Sequence, residues 1–395
     1  MKDLIDMVDK RVSEYCTGCG LCVSQHKAVL NKNQKGFVFP VTGDEEWLKK
    51  VCPTMSILES DRDIKKIWGR EEGVYLGWST NSLLRNKASS GGILTGLASF
   101  LLDEKKVDCV IHTCKSAANP TQTEICYSYT REELEDRCGS RYAISHPLAE
   151  LNKIDPKKIY AFIGKPCDIV ALKNYMKLNP KLEKIIPYTM SFFCMGVPSE
   201  KAQKNLLARL GCKTNGCKDI QYRGNGWPGF TTAVDENGKE YQLDYDTSWG
   251  QILGRDLMPV CRFCLDGVGE LADVACGDAW YLTDQGQPDF SEHAGRNVIF
   301  ARTIKGLELI HCAQEKRYID TEEYSDYEDN LMKIQKSQYD RRVSMRARVL
   351  ALNMLGKPCP MYPHKILRMY SLKLNKIKQL RICLGTCKRI LKGKI

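Results

Sequence analysis

No aspartate or glutamate occurs after Asp340, although the last 55 residues carry fifteen lysines and arginines. The formal charge of +11 is therefore concentrated at the C-terminus, and residues 1–340 carry about −4. No apolar run approaches the ~18 residues that a bilayer-spanning helix needs, which excludes such a span. The opening MKDLIDMVDK is acidic and lacks the apolar stretch of ~7 to 15 residues of a secretory signal, so no signal peptide is expected. There is no dinucleotide-type GxGxxG joining a strand to a helix, no P-loop and no catalytic-triad spacing. Nucleic acid is not expected as a partner, because the basic stretch has no binding motif beyond its charge.

What the chain has in abundance is cysteine, nineteen in 395 residues. A chain of this length, 43% hydrophobic, can bury one large or two medium cores and needs no disulfide staples. A cytoplasmic, reducing compartment is expected, where clustered cysteines are more often metal ligands than disulfides. In the basic tail, Ile366, Leu367, Tyr370, Leu374, Ile377, Leu380, Leu384 and Ile390 recur near helical spacing among the cations. Such a helix suits an anionic membrane surface, which would place the protein peripherally at the inner face of the membrane. A basic helix packed on the acidic body, or solvated, fits the same pattern.

Composition divides the chain into three parts. Residues 1–65 are short, turn-rich and cysteine-bearing, and end near Cys52-Pro53. Residues 66–325 alternate apolar runs, such as Val107–His112 and Lys158–Ile163, with helical patterns at Gly92–Glu104, Arg131–Cys138, Ile169–Leu178 and Ser199–Leu210. This alternation predicts a sheet covered by helices. A hairpin is expected between Ile220 and Leu253 around Asp235-Glu236-Asn237-Gly238, and a strand and helix at Asn297–Ala301 and Gly306–Glu315. Charged residues Glu322–Asn330 read as a linker to a basic helical extension, residues 326–395.

Cys16-Thr17-Gly18-Cys19-Gly20-Leu21-Cys22 places three thiolates on a tight glycine-bearing loop, as three corners of an iron–sulfur cube require. In two-cluster bacterial ferredoxins the run is CxxCxxCxxxCP, and its fourth cysteine serves the other cluster. Here that position is His26, and the second motif is reduced to Cys52-Pro53. One 4Fe-4S cluster on Cys16, Cys19, Cys22 and Cys52 is the expectation, with His26 at the surface. Zinc accepts four cysteines too, but structural zinc sites usually pair two CxxC units.

Four more cysteines stand in unusual contexts. Cys167 follows an apolar strand in Ile163-Gly164-Lys165-Pro166-Cys167, Cys194 ends the run Ser191-Phe192-Phe193, and Cys261 and Cys264 form a CxxC before Leu265-Asp266. Strand ends of an α/β fold converge on the sheet edge where cofactors sit. Together with Ala88-Ser89-Ser90-Gly91-Gly92, Gly139-Ser140-Arg141-Tyr142 and Glu270-Leu271-Ala272-Asp273-Val274-Ala275-Cys276-Gly277-Asp278, these segments resemble the beta subunits of coenzyme F420 hydrogenases and dehydrogenases. That family also includes the plant 7-hydroxymethyl chlorophyll a reductase, and its resemblance covers roughly residues 75–280.

The fold expected is an α/β (α+β) core, which the resemblance implies binds flavin, behind an N-terminal ferredoxin-like iron–sulfur module that only part of that family carries, with the basic helical tail appended. The resemblance implies a second 4Fe-4S cluster on Cys167, Cys194, Cys261 and Cys264, close to an FAD. The flavin contacts it implies are Ser89, Ser90, Gly91, Gly92, Ser140, Arg141, Tyr142, Gly164, Pro166 and Asp278. Gly91 and Gly92 also open a helical pattern whose free N–H groups favour a phosphate, though the same residues suit a plain helix cap. Arg141 and Lys165 depart from the family's usual residues. The other cysteines lack cluster spacing and read as buried or spare thiols, with Cys276 close enough to the site to be mistaken for a ligand.

The function expected is an iron–sulfur flavoprotein oxidoreductase. It would take electrons from ferredoxin or a reduced deazaflavin such as coenzyme F420 and act on an organic substrate, at a membrane in polysaccharide or envelope biosynthesis. The alternatives are an electron-relay subunit with no substrate of its own, which the long C-terminal extension would suit as a docking element, and a zinc-bearing structural protein.

Overall fold

The computed structural model describes residues 7–56 and 63–393; Met1–Asp6 of the opening segment and Lys394 and Ile395 of the basic tail lie outside them. Near the N-terminus, β1 (Ala28–Lys32) and β2 (Val38–Gly43) form an antiparallel hairpin between short helices at Leu21–Ser24 and Glu45–Val51. Asp44 caps the second of these by accepting from the Trp47 amide at 3.0 Å, and Cys52 ends it.

Eleven further strands follow among the described residues: β3 (Gly73–Ser79), β4 (Cys109–Lys115), β5 (Thr123–Ser128), β6 (Tyr160–Gly164), β7 (Tyr188–Phe192), β8 (Cys217–Gln221), β9 (Thr231–Asp235), β10 (Glu240–Leu243), β11 (Val274–Asp278), β12 (Asn297–Ala301) and β13 (Ile319–Glu323). Eight make one mixed sheet in the order β13-β3-β12-β11-β7-β6-β4-β5. Its middle, β11-β7-β6-β4, is parallel, and antiparallel strands close both edges. All five residues of β12 are buried, as a strand covered on both faces requires.

The helices Ile93–Asp103 and Ile304–Glu315 pack one face through Ile93, Leu97 and Ile310 against Val110, Met190, Val274 and Ile299. The helix Pro166–Leu178 packs the other through Ile169 and Leu172 against Ile111 and Phe162. The parallel strands β6, β7 and β11 therefore end side by side at Gly164, Phe192 and Asp278, with His112 partway along neighbouring β4. The expected hairpin is present with a third strand, β8-β9-β10, and the Asp235–Gly238 turn joins β9 to β10.

Three expectations change. Glu322–Asn330 is no free connection: β13 pairs with β3 through Glu323, and Leu331 and Ile334 just beyond are buried. The polar sequence of β13 disguised it because an edge strand tolerates charge. The tail is not one surface element either. The helix Lys336–Met354 buries Val343, Met345 and Leu352 in the cluster that holds Phe263, Val268 and Phe300, and Ile366, Leu367 and Tyr370 join them. Thirdly, Cys114 and Cys126, expected as spare thiols, are paired as a disulfide across β4 and β5. The antiparallel register, which sets His112 opposite Cys126 and Cys114 opposite Glu124, brings their Cα atoms to 5.9 Å, within bonding reach.

Gly224-Asn225-Gly226-Trp227-Pro228-Gly229 spells GxGxxG by letter, yet it forms a loop entering β9 with no helix after it. Gly224 and Gly229 approach each other so closely that a Cβ on Gly229 would lie 2.6 Å from the Gly224 carbonyl oxygen.

Candidate functional site

The first cysteine loop folds around two left-handed glycines, Gly18 at φ +71° and Gly20 at φ +85°. Gly20 has no alternative: a Cβ there would sit 2.7 Å from that of Ala149. Cys16, Cys19, Cys22 and Cys52 line one small cavity. Burial, and then the neighbouring thiols, push Cys16, Cys19 and Cys22 up, Cys22 to about 12, and burial raises Cys52. His26 is exposed and points no ligand into this cavity.

The second set is assembled from three places in the chain. Cys167 is the second residue of the helix after β6, Cys194 lies just past β7, and Cys261 and Cys264 flank the end of the short helix Pro259–Arg262. The Cys194 amide donates to the Gly267 carbonyl at 2.8 Å, which ties the β7 end to the loop behind the CxxC. Burial raises all four thiols; Cys194 and Cys264 push Cys167 and Cys261 further, Cys261 to about 12. Thiols so far above neutral stay protonated unless a metal centre displaces their protons.

Spacing discriminates between metals. Among the described residues, no three of these eight sulfurs all lie within 4.8 Å of one another. A zinc ion bonded to sulfur at ~2.3 Å needs its sulfurs roughly 3.8 Å apart. Neither set is therefore gathered as closely as a zinc ion requires.

Side chains beside the two sets pack on one another. Tyr15, next to Cys16, packs edge-on against Phe263, which lies between Cys261 and Cys264, with ring centroids 5.7 Å apart. A Cβ on Gly18 would lie 3.6 Å from both Met258 Cε and His146 Nδ1, and His146 Nδ1 is 2.7 Å from the Gly18 carbonyl oxygen.

Beyond the second set a cavity of about 280 Å³ opens at the ends of β6, β7 and β11 and beside β4. Ser89, Ser90, Gly92, Ser140, Arg141, Tyr142, Gly164 and Asp278 all line it, and so does Cys194. Gly91 and Pro166 do not. Gly91 is pressed against β3 and Asn297, where a Cβ would meet the Gly77 carbonyl oxygen at 2.7 Å, and Pro166 opens its helix as the first residue. Several expected contacts are already engaged. The Ser140 amide donates to Ser89 Oγ at 2.6 Å, Ser90 Oγ donates to the Arg296 carbonyl, and Asp278 holds Arg223 through two contacts at 2.8 and 3.1 Å.

Arg141 is different. Its Nη1 is buried without a partner, so a cation waits at the cavity wall for an acceptor. The first turn of the helix Ile93–Asp103 also lines the cavity, adding its dipole to the pull on an anion. Tyr142 and Trp249 stand 4.6 Å apart on the wall, Trp249 being carried by a π-helical turn, Asp246–Ile252. Aromatic walls, a guanidinium with one free arm and a helix N-terminus fit a flat ring system with a phosphate-bearing tail.

Sequence reasoning missed several residues here. His112 lines the cavity, is held to Ser128 Oγ at 2.8 Å, and burial brings it down to about 4, so it is neutral at physiological pH. Lys165 was noted only as a departure; its Nζ lies 2.8 Å from both Asp168 Oδ2 and Ser145 Oγ at the inner wall. Gln338 and Arg341, on the helix Lys336–Met354, reach the Cys194 carbonyl at 2.9 and 3.4 Å. Nothing in the local sequence around them marks this role. Cys276 also lines the cavity, but from the middle of β11, where burial keeps it a thiol.

Residues 74–152 match the N-terminal part, and residues 157–327 the C-terminal part, of the family described as coenzyme F420 hydrogenase/dehydrogenase, beta subunit. The chain belongs to that family. It is 22% identical over 306 residues to the coenzyme F420 hydrogenase subunit beta of Methanothermobacter thermautotrophicus, covering 74% of this chain and 99% of the relative. The Methanosarcina barkeri subunit of the same name is 25% identical over 276 residues, covering 67% and 87%. The F420-dependent formate dehydrogenase subunit beta of Methanocaldococcus jannaschii is 23% identical over 264 residues, covering 64% and 62%. A chain in the solved F420-reducing NiFe hydrogenase complex of Methanosarcina barkeri shares the fold, with a TM-score of 0.57, 22% identity and coverage of 73% and 96%. The cavity segments and the second cysteine set fall within the family ranges. Cys16 to Cys52 and the helices after residue 327 lie outside them.

Proposed function

We propose that this chain is the electron-relay subunit of an oxidoreductase assembly. The reading rests on one observation above the others: two four-cysteine sets and a cofactor-sized cavity adjoin in series, with Tyr15 on Phe263 between the sets and Cys194 lining the cavity. Cys16, Cys19, Cys22 and Cys52 would hold one 4Fe-4S cluster, and Cys167, Cys194, Cys261 and Cys264 a second. The cavity would take FAD, its phosphates drawn to Arg141 and the Ile93 helix and its ring to the wall of Tyr142 and Trp249. Bound there, a flavin supplies exchange between two-electron organic carriers and one-electron clusters. This chain's own part is to enclose the ring, exclude water and keep His112 neutral beside it. Its relatives are named as subunits of hydrogenase and formate dehydrogenase, which favours a partner enzyme over a separate substrate for this chain. Ferredoxin or a reduced deazaflavin would be the exchange partner at one end.

Anaerobic purification tests the cofactors: about eight irons and eight sulfides per chain are expected, with bound FAD. Four or fewer irons and no flavin would overturn the proposal. A donor screen tests the role, with flavin bleaching by reduced ferredoxin or deazaflavin but no turnover of an organic substrate until a partner enzyme is added. Turnover by the chain alone would replace the relay with an enzyme acting on its own substrate.

A further inference from the structure

The last helix, Lys376–Leu391, has two faces of opposite character. Inward, Cys383 and Thr386 are buried and Ile382 and Cys387 pack on Ala347 and Ala351 of the helix Lys336–Met354. Outward, Ile377, Leu380, Leu384 and Leu391 are 67%, 60%, 56% and 75% exposed. At ~100° per residue these four fall within about 60° of the helix circumference, centred about 120° round from the packed side, while Arg381, Lys388 and Lys392 stand directly opposite that side. Arg381 and Lys388 border the stripe, and no described residue covers it.

Charge limits what can cover this stripe. Nine lysines and arginines between Lys365 and Lys392 are all exposed, and no acidic residue lies among them. Among the described residues, Lys373, Lys376, Lys378, Arg381, Lys388 and Lys392 take part in no ion pair, so the body leaves this charge free. A second copy of the chain would bring two such basic faces together, which repel. The body already occupies the side of the helix opposite the cations. An anionic surface with an apolar interior satisfies both halves of the pattern.

We propose that the outward face of the helix Lys376–Leu391 docks on an anionic lipid bilayer, its four apolar side chains entering the acyl boundary while the cations meet the headgroups. The helix lies in the plane of the surface; among the described residues none is long and apolar enough to cross it. The attachment does not depend on which cofactors the cysteines hold.

The test is co-sedimentation of the anaerobically purified full chain with vesicles. It should bind phosphatidylcholine–phosphatidylglycerol vesicles at low salt, release at high salt, and ignore pure phosphatidylcholine. Leu380→Asp combined with Leu384→Asp should weaken binding at least about tenfold. Replacing Lys378, Arg381 and Lys388 together by Gln should do the same. Both sites are exposed, so the variants should keep the wild-type iron content and elution volume. Failure of the wild type to bind anionic vesicles overturns the proposal, and so does undiminished binding by well-folded variants. Self-association abolished by the leucine substitutions, without vesicle binding, would assign the face to a second copy; capture by an acidic protein partner alone would assign it there.

Discussion

Arg342→Met asks whether the basic tail is an appendage or part of the body. Arg342 and Glu270 are both essentially fully buried, at 1% and 0% side-chain exposure, and form an ion pair. Arg342 also donates to Tyr370 Oη at 2.7 Å, so one side chain joins the helix Lys336–Met354, the helix His364–Ser371 and the loop behind Cys264. Removing one partner of a buried pair costs ~3–5 kcal/mol, because the other charge is left without compensation. Arg302 lies close enough to Glu270 to offset part of that charge while its own donors remain on the Trp68, Arg70 and Val268 carbonyls, so the low end, about 3 kcal/mol, is expected here. Adding Glu270→Gln removes the stranded carboxylate and should recover about half of the loss. Paired urea unfolding curves of the anaerobic proteins, with iron content followed alongside, measure both. A loss of only ~0.5 kcal/mol for Arg342→Met, as at an ordinary surface site, would refute the view that the tail is built into the core.

Cys52→Ser and Cys264→Ser should each leave about four irons per chain, and only Cys264→Ser should also perturb the flavin spectrum; an unchanged iron count in either removes that ligand set. Arg141→Leu should release FAD at least about tenfold more readily, by fluorescence of the ultrafiltrate, because it deletes the guanidinium whose Nη1 is left without a partner at the cavity wall. Gly277→Val should displace Phe193, whose ring a Cβ would meet at 2.6 Å, and loosen both flavin and second cluster; normal loading would refute the close approach. His112 supplies a pH dependence. Its folded value of about 4 is below the unfolded one near 6.5, so the unfolded chain binds the extra proton and stability falls with pH between those values. At pH 5 the loss from this group is ~2 kcal/mol relative to neutral pH. His112→Gln should flatten that slope, and an unchanged slope would place the titration elsewhere.

Much of this protein is written locally. The Cys16–Cys22 loop carries its spacing and its left-handed glycines in seven consecutive residues, so its character needs no long-range information. The strands and helices that frame the cavity follow the same rule: Cys109–Lys115, Tyr160–Gly164 and Ile93–Asp103 form where apolar periodicity and glycine punctuation place them. Local pattern failed at β13, because the charges an edge strand tolerates read as a linker, and at the tail.

The sequence by itself determined which cysteines are candidate ligands and which segments alternate between strand and helix. Tertiary structure decided how those residues meet. Parallel strand ends set Cys167 and Cys194 at one rim, and only the packing of the first loop on Phe263 and Met258 puts the two cysteine sets in series. Eight tail residues with one helical pattern were likewise divided by packing: Ile366, Leu367 and Tyr370 into the core, Leu374 and Ile390 half covered, and Ile377, Leu380 and Leu384 left outside. The reason is physical. Periodicity states that a helix has an apolar face, whereas what covers that face depends on surfaces contributed by distant parts of the chain.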